Sequence, residues 1–137
     1  MICRDAFLKV RFDETFHLGY EDTLFGMQLE QAGVEILHID NPVYHLVEEN
    51  SEQFLMKIRR AVRNLDGHIE QMHSHVKLLR WYACVKRLGM APLVAFLFRQ
   101  IEKRLVSNLT SRKPSLKLFA FYKLGYLCNF LSQKKPD

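Results

Sequence analysis

Apolar residues recur at helical spacing through the second half of the chain. After residue 50 they fall mostly three or four positions apart, which places them on one face of an α-helix. The first such stripe consists of Phe54, Leu55, Ile58, Val62 and Leu65. Ser51 stands just before the stripe and is the expected N-cap, because its hydroxyl can accept a backbone N–H of the first turn. The pattern predicts an amphipathic helix from about residue 51 to residue 65.

Three more helices are predicted after this one. Asp66-Gly67 interrupts the pattern, and the next stripe runs to a stop near Leu88-Gly89. Pro92 then opens a third helix and Lys113-Pro114-Ser115 a fourth, which ends near Leu131. The apolar positions of the second helix are Ile69, Met72, Val76, Leu79 and Ala83. These four helices are expected to pack on one another.

The N-terminal part of the chain follows a different pattern. A short helix is predicted over residues 2–10 and a second one over Glu21–Ala32, closed by Gly33, which can adopt the left-handed conformation that ends a helix. Residues 34–39 alternate between apolar and polar types and include β-branched side chains, so they predict a strand. Residues 43–46, after a proline turn, predict a second short strand.

Two short strands cannot close a sheet by themselves, since their edges would remain unpaired. Residues 1–49 are therefore expected to be the end of a larger α/β domain, completed by a segment before Met1 or by another chain. The predicted fold class is an α/β fragment, one helix with two short strands, followed by a mainly α-helical region over residues 50–137. The chain is expected to be predominantly helical overall.

Charge divides the chain into an acidic and a basic half. Residues 1–67 contain 7 Lys and Arg against 12 Asp and Glu, whereas residues 68–137 contain 13 against 3. A basic half favours a polyanionic neighbour, either nucleic acid or an anionic membrane surface. Nucleic acid is not the expected partner, because no helix-turn-helix, zinc-finger or aromatic-platform motif accompanies the charge.

Other features of the sequence concern its location. The longest uncharged apolar run, residues 88–98, is 11 residues long, well below the roughly 20 needed to span a bilayer. The first ten residues are too charged for a signal peptide. Cys3, Cys84 and Cys128 are widely spaced and fit reduced thiols better than a disulfide framework. We therefore expect a cytoplasmic protein, with peripheral attachment to the inner face of the plasma membrane as an option.

One composite motif carries chemistry. Gly19-Tyr20-Glu21-Asp22 follows a turn at Phe12-Asp13-Glu14-Thr15-Phe16 and precedes Gly33 and then Asn41-Pro42-Val43-Tyr44-His45. In this order and spacing, the segments resemble the acceptor side of a family 2 glycosyltransferase of the GT-A type. The resemblance implies transfer of a sugar from a nucleotide-sugar donor to a glycan or lipid-linked acceptor, in the synthesis of a surface polysaccharide.

The resemblance also implies roles for individual residues. Asp22 matches the base that deprotonates the acceptor hydroxyl, and Glu21 would bind acceptor hydroxyls or orient Asp22. Gly19 and Tyr20 would shape the acceptor wall. His45 matches a histidine that contacts a divalent metal, Mg²⁺ or Mn²⁺, which neutralises the diphosphate of the donor. His17, in the loop before the motif, is a further candidate for substrate contact.

In this family the nucleotide-binding half, with its DxD-type motif, precedes the acceptor side. Residues 1–49 would then be the acceptor-side part of the catalytic domain and residues 50–137 a helical C-terminal region. The isolated chain is expected to be inactive, with the metal bound only together with the other half. That half, or a second copy of this chain, would be its protein partner.

The last predicted helix leaves an alternative open. Phe119, Tyr122, Tyr126 and Phe130 fall on one face, with Lys and Arg around them. Aromatic anchors with basic flanks are typical of a membrane-interface helix, but an ordinary helical bundle with a solvated basic surface gives the same pattern. The alternative function is therefore a non-catalytic basic helical module that docks on a membrane surface or on a partner protein.

Overall fold

A computed structural model describes residues 3–14, 19–37, 39–44 and 49–134. Over these residues the chain forms seven α-helices, with a single 3-10 turn at Asp66–His68. The helices are α1 Arg4–Lys9, α2 Glu21–Gln31, α3 Ser51–Asn64, α4 Ile69–Met72, α5 Lys77–Arg87, α6 Ala91–Leu109 and α7 Leu116–Gln133. The expectation of a predominantly helical chain is thus met.

The prediction of an α/β fragment is wrong. Residues 34–37 and 39–44 contain no strand, and neither do the other parts of the chain that the structure describes. Leu37 and Val43 are each about 80% exposed and Tyr44 is fully exposed, so this segment has no neighbour to pair with. Alternating β-branched residues favour an extended backbone, but a strand also needs a partner that takes its N–H and C=O groups.

The start of α3 differs from the prediction by one residue. Asn50, rather than Ser51, is the N-cap: its side chain accepts the Gln53 N–H at 2.8 Å, and the Gln53 side chain accepts the Asn50 N–H at 3.1 Å. This reciprocal pair is a capping box, which satisfies two N–H groups at the helix start. Ser115 begins α7 in a simpler way, since its hydroxyl accepts the Leu118 N–H.

Two helices end in the same glycine motif. At the end of α2, the Gly33 N–H donates to the Glu30 carbonyl and the Val34 N–H to the Leu29 carbonyl, both at 3.0 Å. Gly33 has φ +66°, so the predicted left-handed closure of this helix is confirmed. Gly89 has φ +68° and closes α5 with the equivalent pair of hydrogen bonds.

The helix predicted from residue 69 to residue 88 is interrupted. It divides into α4, which ends at Met72, and α5, which begins at Lys77. Between them the Val76 backbone is extended, with φ −97° and ψ 110°. Met72 and Val76 are both buried, so the turn between the helices keeps the apolar stripe of the sequence in the core.

The core is centred on an antiparallel pair formed by α6 and α7. Phe98 of α6 and Tyr122 and Leu127 of α7 are completely buried. The two helices approach closely at Gly125, where an added Cβ would lie 2.6 to 2.9 Å from atoms of Phe98. Helices α3 and α5 both pack against α7. Their buried residues, among them Leu55, Val62 and Leu79, belong to the same hydrophobic cluster.

The N-terminal helices pack onto this bundle through α2. Leu24 and Met27 are buried in the main hydrophobic cluster. On another side of α2, Phe25 stacks on Phe12 with ring centroids 4.2 Å apart, and Phe7 of α1 contacts both rings. The aromatic trio thus joins α1 to α2, while Leu24 and Met27 join α2 to the bundle.

No single helix in the described part of the chain is long and apolar enough to cross a membrane. Helices α5 and α6 meet that criterion only as a pair, and the pair bends by 115° at its break.

Candidate functional site

The loop before α2 has an unusual backbone. Gly19 has φ +78° and Tyr20 has φ +72° and ψ 0°, so two successive residues are left-handed. Tyr20 is the only non-glycine residue with positive φ among those that the structure describes. Its ring packs against the hydrophobic core, and this burial raises the pKa of the Tyr20 hydroxyl. Packing of the Tyr20 ring on the core thus holds a left-handed backbone that is costly for a residue other than glycine.

Gly19 fits because its neighbour on α3 is small. A Cβ placed on Gly19 would lie 2.4 Å from the Cβ of Ala61 and 3.2 Å from its Cα. Only glycine allows this approach, and its left-handed φ also favours glycine. The loop that carries the motif is therefore seated directly on α3, and its position relative to the bundle is fixed.

Asp22 lies in the first turn of α2, as the sequence predicted, and its side chain is exposed. Its Oδ1 atom accepts the Thr23 backbone N–H at 2.7 Å and lies 3.4 Å from the Thr23 hydroxyl. These contacts restrict the rotation of the carboxylate. A helix N-terminus stabilises such an anion through the helix dipole. Asp22 is therefore available to a molecule arriving from solvent.

Glu21 stands beside it in a different environment. Its Oε2 atom is buried and has no hydrogen-bond partner among the described residues. A buried carboxylate oxygen without a partner is costly, so it favours any hydroxyl or N–H that can reach it. The pair therefore offers one solvent-facing carboxylate and one buried acceptor atom within two successive residues.

The two histidine candidates lie outside the described residues. His17 falls in the interval 15–18 and His45 in the interval 45–48, so their predicted roles stay predictions. Within the described ranges, His, Cys, Asp and Glu side chains form no group of three or more suited to a metal ion. Of the predicted site residues, the structure thus brings together Gly19, Tyr20, Glu21 and Asp22.

Two residues of the aromatic face of α7 lie in the protein interior. Tyr122 is fully buried and Tyr126 is 7% exposed. Arg59 Nε donates to the Tyr122 hydroxyl at 2.6 Å, and Arg63 Nε donates to the Tyr126 hydroxyl at 2.5 Å. Both guanidinium groups also lie within 6 Å of the Tyr126 ring centroid, a cation–π arrangement. Tyr122 and Tyr126 therefore hold α3 against α7, which favours the helical-bundle alternative for these two residues.

Burial and hydrogen bonding oppose each other at Tyr122. Burial raises the pKa of its hydroxyl, while the hydrogen bond from Arg59 lowers it, and the net shift is upward. Arg59 also donates to Glu102 at 2.7 Å, so the same guanidinium links α3 to both α6 and α7. The network is structural: its polar groups form hydrogen bonds with one another and join the three helices.

Some residues that define the site had no strong signal in the sequence. Ala61 matters because it is small where Gly19 approaches, and a small residue in a helix is too common to indicate a contact. Arg59 and Arg63 are four residues apart on the helix, as are Tyr122 and Tyr126, and that matched spacing was a usable signal.

No protein-family model, curated protein or solved structure matches this chain.

Proposed function

We propose that this chain carries the acceptor-side carboxylates of a sugar-transferring enzyme similar to family 2 glycosyltransferases. The observation that carries the proposal is the placement of Asp22, an exposed carboxylate in the first turn of a helix whose preceding loop is fixed against α3. A general base must be held in a constant position and be reachable by its substrate. The acceptor would be a glycan or a lipid-linked sugar, and the donor a nucleotide sugar.

The chemistry assigned to the pair is proton removal and orientation. Asp22 accepts the proton of the acceptor hydroxyl as that oxygen bonds to the anomeric carbon of the donor sugar. The bond between the anomeric carbon and the diphosphate oxygen breaks, and the nucleoside diphosphate leaves with the bonding electrons. Glu21 Oε2 accepts a hydrogen bond from a neighbouring acceptor hydroxyl, which supplies the partner that it lacks within the described residues.

The donor side needs a nucleotide-binding part in addition to these residues. The sequence has no Asp-x-Asp triplet, the type of motif that binds the diphosphate through a metal in the family it resembles. When bound, Mg²⁺ or Mn²⁺ neutralises the charge that develops on the leaving diphosphate. We assign the nucleotide-binding part to a preceding segment or to another chain. His45 would be a ligand of the metal. The reaction would take place at the inner face of the plasma membrane.

The test is Asp22→Asn in the enzyme assembled with its nucleotide-binding part. The substitution keeps the shape of the side chain but removes the proton acceptor, and a general base contributes roughly 10²- to 10⁴-fold to rate. We expect kcat for sugar transfer to fall by about that factor, with KM for the donor and the melting temperature unchanged.

Asp5→Asn is the matched control, because Asp5 is also an acidic residue in a helix first turn, that of α1. It is expected to keep full activity. If Asp22→Asn transfers sugar within about twofold of the wild type, Asp22 is not the base. Glu21→Gln is then the next substitution to assay.

A second candidate function is favoured by one observation. Residues 77–134 contain 12 Lys and Arg and a single acidic residue, Glu102. A surface so one-sided in charge suits a module that docks on an anionic membrane or partner without catalysis. Under this alternative, Asp22→Asn would leave the cellular role of the protein intact, whereas neutralising basic residues would impair it.

A further inference from the structure

The turn between α5 and α6 exposes a group of large apolar side chains. Each of them is between 44% and 64% exposed, whereas Leu79 and Phe98 of the same helices are completely buried. They are Trp81, Leu88, Met90, Leu93, Phe96 and Leu97, and together they are called the corner surface below. Scattered exposed apolar residues are ordinary, but six concentrated within 17 consecutive residues indicate a contact surface.

Helical spacing explains how these side chains come together. Met90, Leu93 and Leu97 follow each other at intervals of three and four residues, so they share one face of α6. The opposite face carries Ala95 and Phe98, which are buried in the protein. Because that face is occupied by the core, the stripe with Met90 points away from the protein.

The backbone brings the two helices to a sharp corner. Gly89, with φ +68°, ends α5, and α6 begins two residues later at an angle that bends the pair by 115°. Leu88 and Met90 flank this glycine. Trp81 lies seven residues before Leu88, which is about two helical turns, so the two lie on the same side of α5. Leu88 and Met90 thus bring apolar side chains of both helices to the corner, and Trp81, further back on α5, borders a pocket with Phe121 and Leu124 of α7.

The charge around the corner surface is almost entirely positive. Residues 77–104 include seven Lys and Arg, and their single acidic residue, Glu102, is paired with Arg59. Lys86 and Arg87 form the last turn of α5, directly before the corner, and both are exposed. An apolar surface with a tryptophan and a cationic border matches the polarity of an anionic membrane interface.

We propose that the corner surface inserts into the interface of an anionic lipid bilayer. Leu88, Met90, Leu93 and Phe96 would enter the boundary between headgroups and acyl chains, while Lys86 and Arg87 would contact phosphate and other anionic headgroup oxygens. A second copy of the chain is a poorer occupant, because apposing two such surfaces would bring their cations together without acidic partners. A bilayer instead supplies apolar contact and negative charge in one surface.

This surface gives the second candidate function a specific membrane contact, because Lys86 and Arg87 belong to the basic stretch of residues 77–134. It includes neither the buried tyrosines of α7 nor the carboxylate pair of α2. The proposal is therefore independent of sugar transfer. Measurements of lipid binding test it without any assay of sugar transfer.

Trp81 gives a direct measurement, because it is the only tryptophan of the 137 residues. The whole chain is mixed with vesicles of phosphatidylcholine and phosphatidylglycerol in a 3:1 ratio, or of phosphatidylcholine alone. With the anionic vesicles we expect co-sedimentation, a blue shift of the tryptophan emission, and quenching by brominated acyl chains. The neutral vesicles are expected to bind at least tenfold more weakly, since each basic residue near an anionic surface adds about 1 kcal/mol.

Variants separate insertion from plain attraction between charges. Phe96→Ser is expected to weaken partitioning about tenfold, because it removes apolar area that would enter the interface. The double variant Lys86→Gln with Arg87→Gln is expected to weaken binding at least tenfold at low salt. Leu116→Ser is the matched control. Leu116 is 82% exposed, but it lies next to Leu109, roughly 24 Å along α6 from Leu93, and its loss should change nothing.

Each result decides the proposal. Binding to anionic vesicles with a blue shift that Phe96→Ser reduces, and that Leu116→Ser leaves alone, supports it. If Phe96→Ser leaves the affinity for the vesicles unchanged, or if binding leaves the Trp81 emission unchanged, the proposal is overturned. Attraction between charges would then explain the binding by itself. No binding even at low salt also overturns it, as does concentration-dependent dimerisation without lipid binding. Circular dichroism melts of every variant confirm that the fold is retained.

Discussion

Cys128 links a single buried group to the stability of the whole protein. The thiol lies within α7 and is 2% exposed. Burial raises its pKa from 9.0 to about 11, because the thiolate loses hydration in the core. Well below pH 9, at pH 7 for example, the thiol is protonated in both the folded and the unfolded chain. Between pH 9 and pH 11 the unfolded chain ionises first, so the folded state loses stability as the pH rises.

We expect the free energy of unfolding to fall by about 2 kcal/mol over this interval, because one pKa unit corresponds to about 1.4 kcal/mol and part of the loss lies outside the interval. Urea unfolding at pH 8, 9, 10 and 11 measures the loss. In Cys128→Ala the decrease between pH 9 and pH 10 should be much smaller. The exposed Cys84 gives the control variant Cys84→Ala, which should follow the wild type. An unchanged slope in Cys128→Ala would assign the alkaline loss to other groups, such as Tyr122, whose pKa is also raised.

Among single residues, the sequence predicted the helix position of Asp22 better than the backbone and contacts of the residues just before it. An acidic residue at the start of an apolar periodic segment indicates a helix first turn, and that local rule held. The left-handed Tyr20 carries no local signal, because tyrosine rarely adopts that conformation and only its packing on the core explains it. The contact between Gly19 and Ala61 joins residues 42 positions apart, and a single sequence does not record such pairings.

The helices were predicted where local signals and packing agree. Pro92 and Ser115 begin α6 and α7 close to the expected positions, because both act through the first helical turn alone. The break between α4 and α5 contains neither glycine nor proline, so no residue type indicated it in advance. The segment after Gly33 shows the reverse case, a strand-like pattern without the partner that a strand needs. For Tyr122 the sequence left a lipid-facing and a core position open, because periodicity identifies a face but not what covers it.

Two helical glycines, Gly125 in α7 and Gly26 in α2, are expected to respond to alanine in opposite ways. Gly125→Ala would place a Cβ 2.6 to 2.9 Å from Phe98, and overpacking of this kind costs about 1–3 kcal/mol. The gain in helix propensity, about 1 kcal/mol, offsets only part of that cost. Gly26→Ala lies inside α2 with no atom within 4 Å of its new Cβ, so it should be stabilising by about 1 kcal/mol. Urea unfolding of both variants measures the two signs, and a stabilising Gly125→Ala would mean that the helices can separate at little cost.

At the scale of the molecule, the main question is how firmly the motif loop is joined to the bundle. Gly19→Ala tests this joint, because it adds a Cβ 2.4 Å from the Cβ of Ala61 at a residue whose φ is +78°. The clash must move the loop away from α3, and α2 carries Leu24 and Met27 of the common core. We expect amide hydrogen exchange to accelerate throughout α2, while the centres of α6 and α7 keep most of their protection.

A second substitution separates the two causes of that effect. In the double variant Gly19→Ala with Ala61→Gly the clash is removed, but the left-handed strain at residue 19 remains, so protection of α2 should return only in part. Ala61→Gly alone is the control for the helix propensity lost in α3, about 1 kcal/mol. If Gly19→Ala leaves exchange in α2 unchanged, the loop is not held by α3. The fixed position claimed for Asp22 would then have no structural basis, and with it the argument that Asp22 serves as a general base.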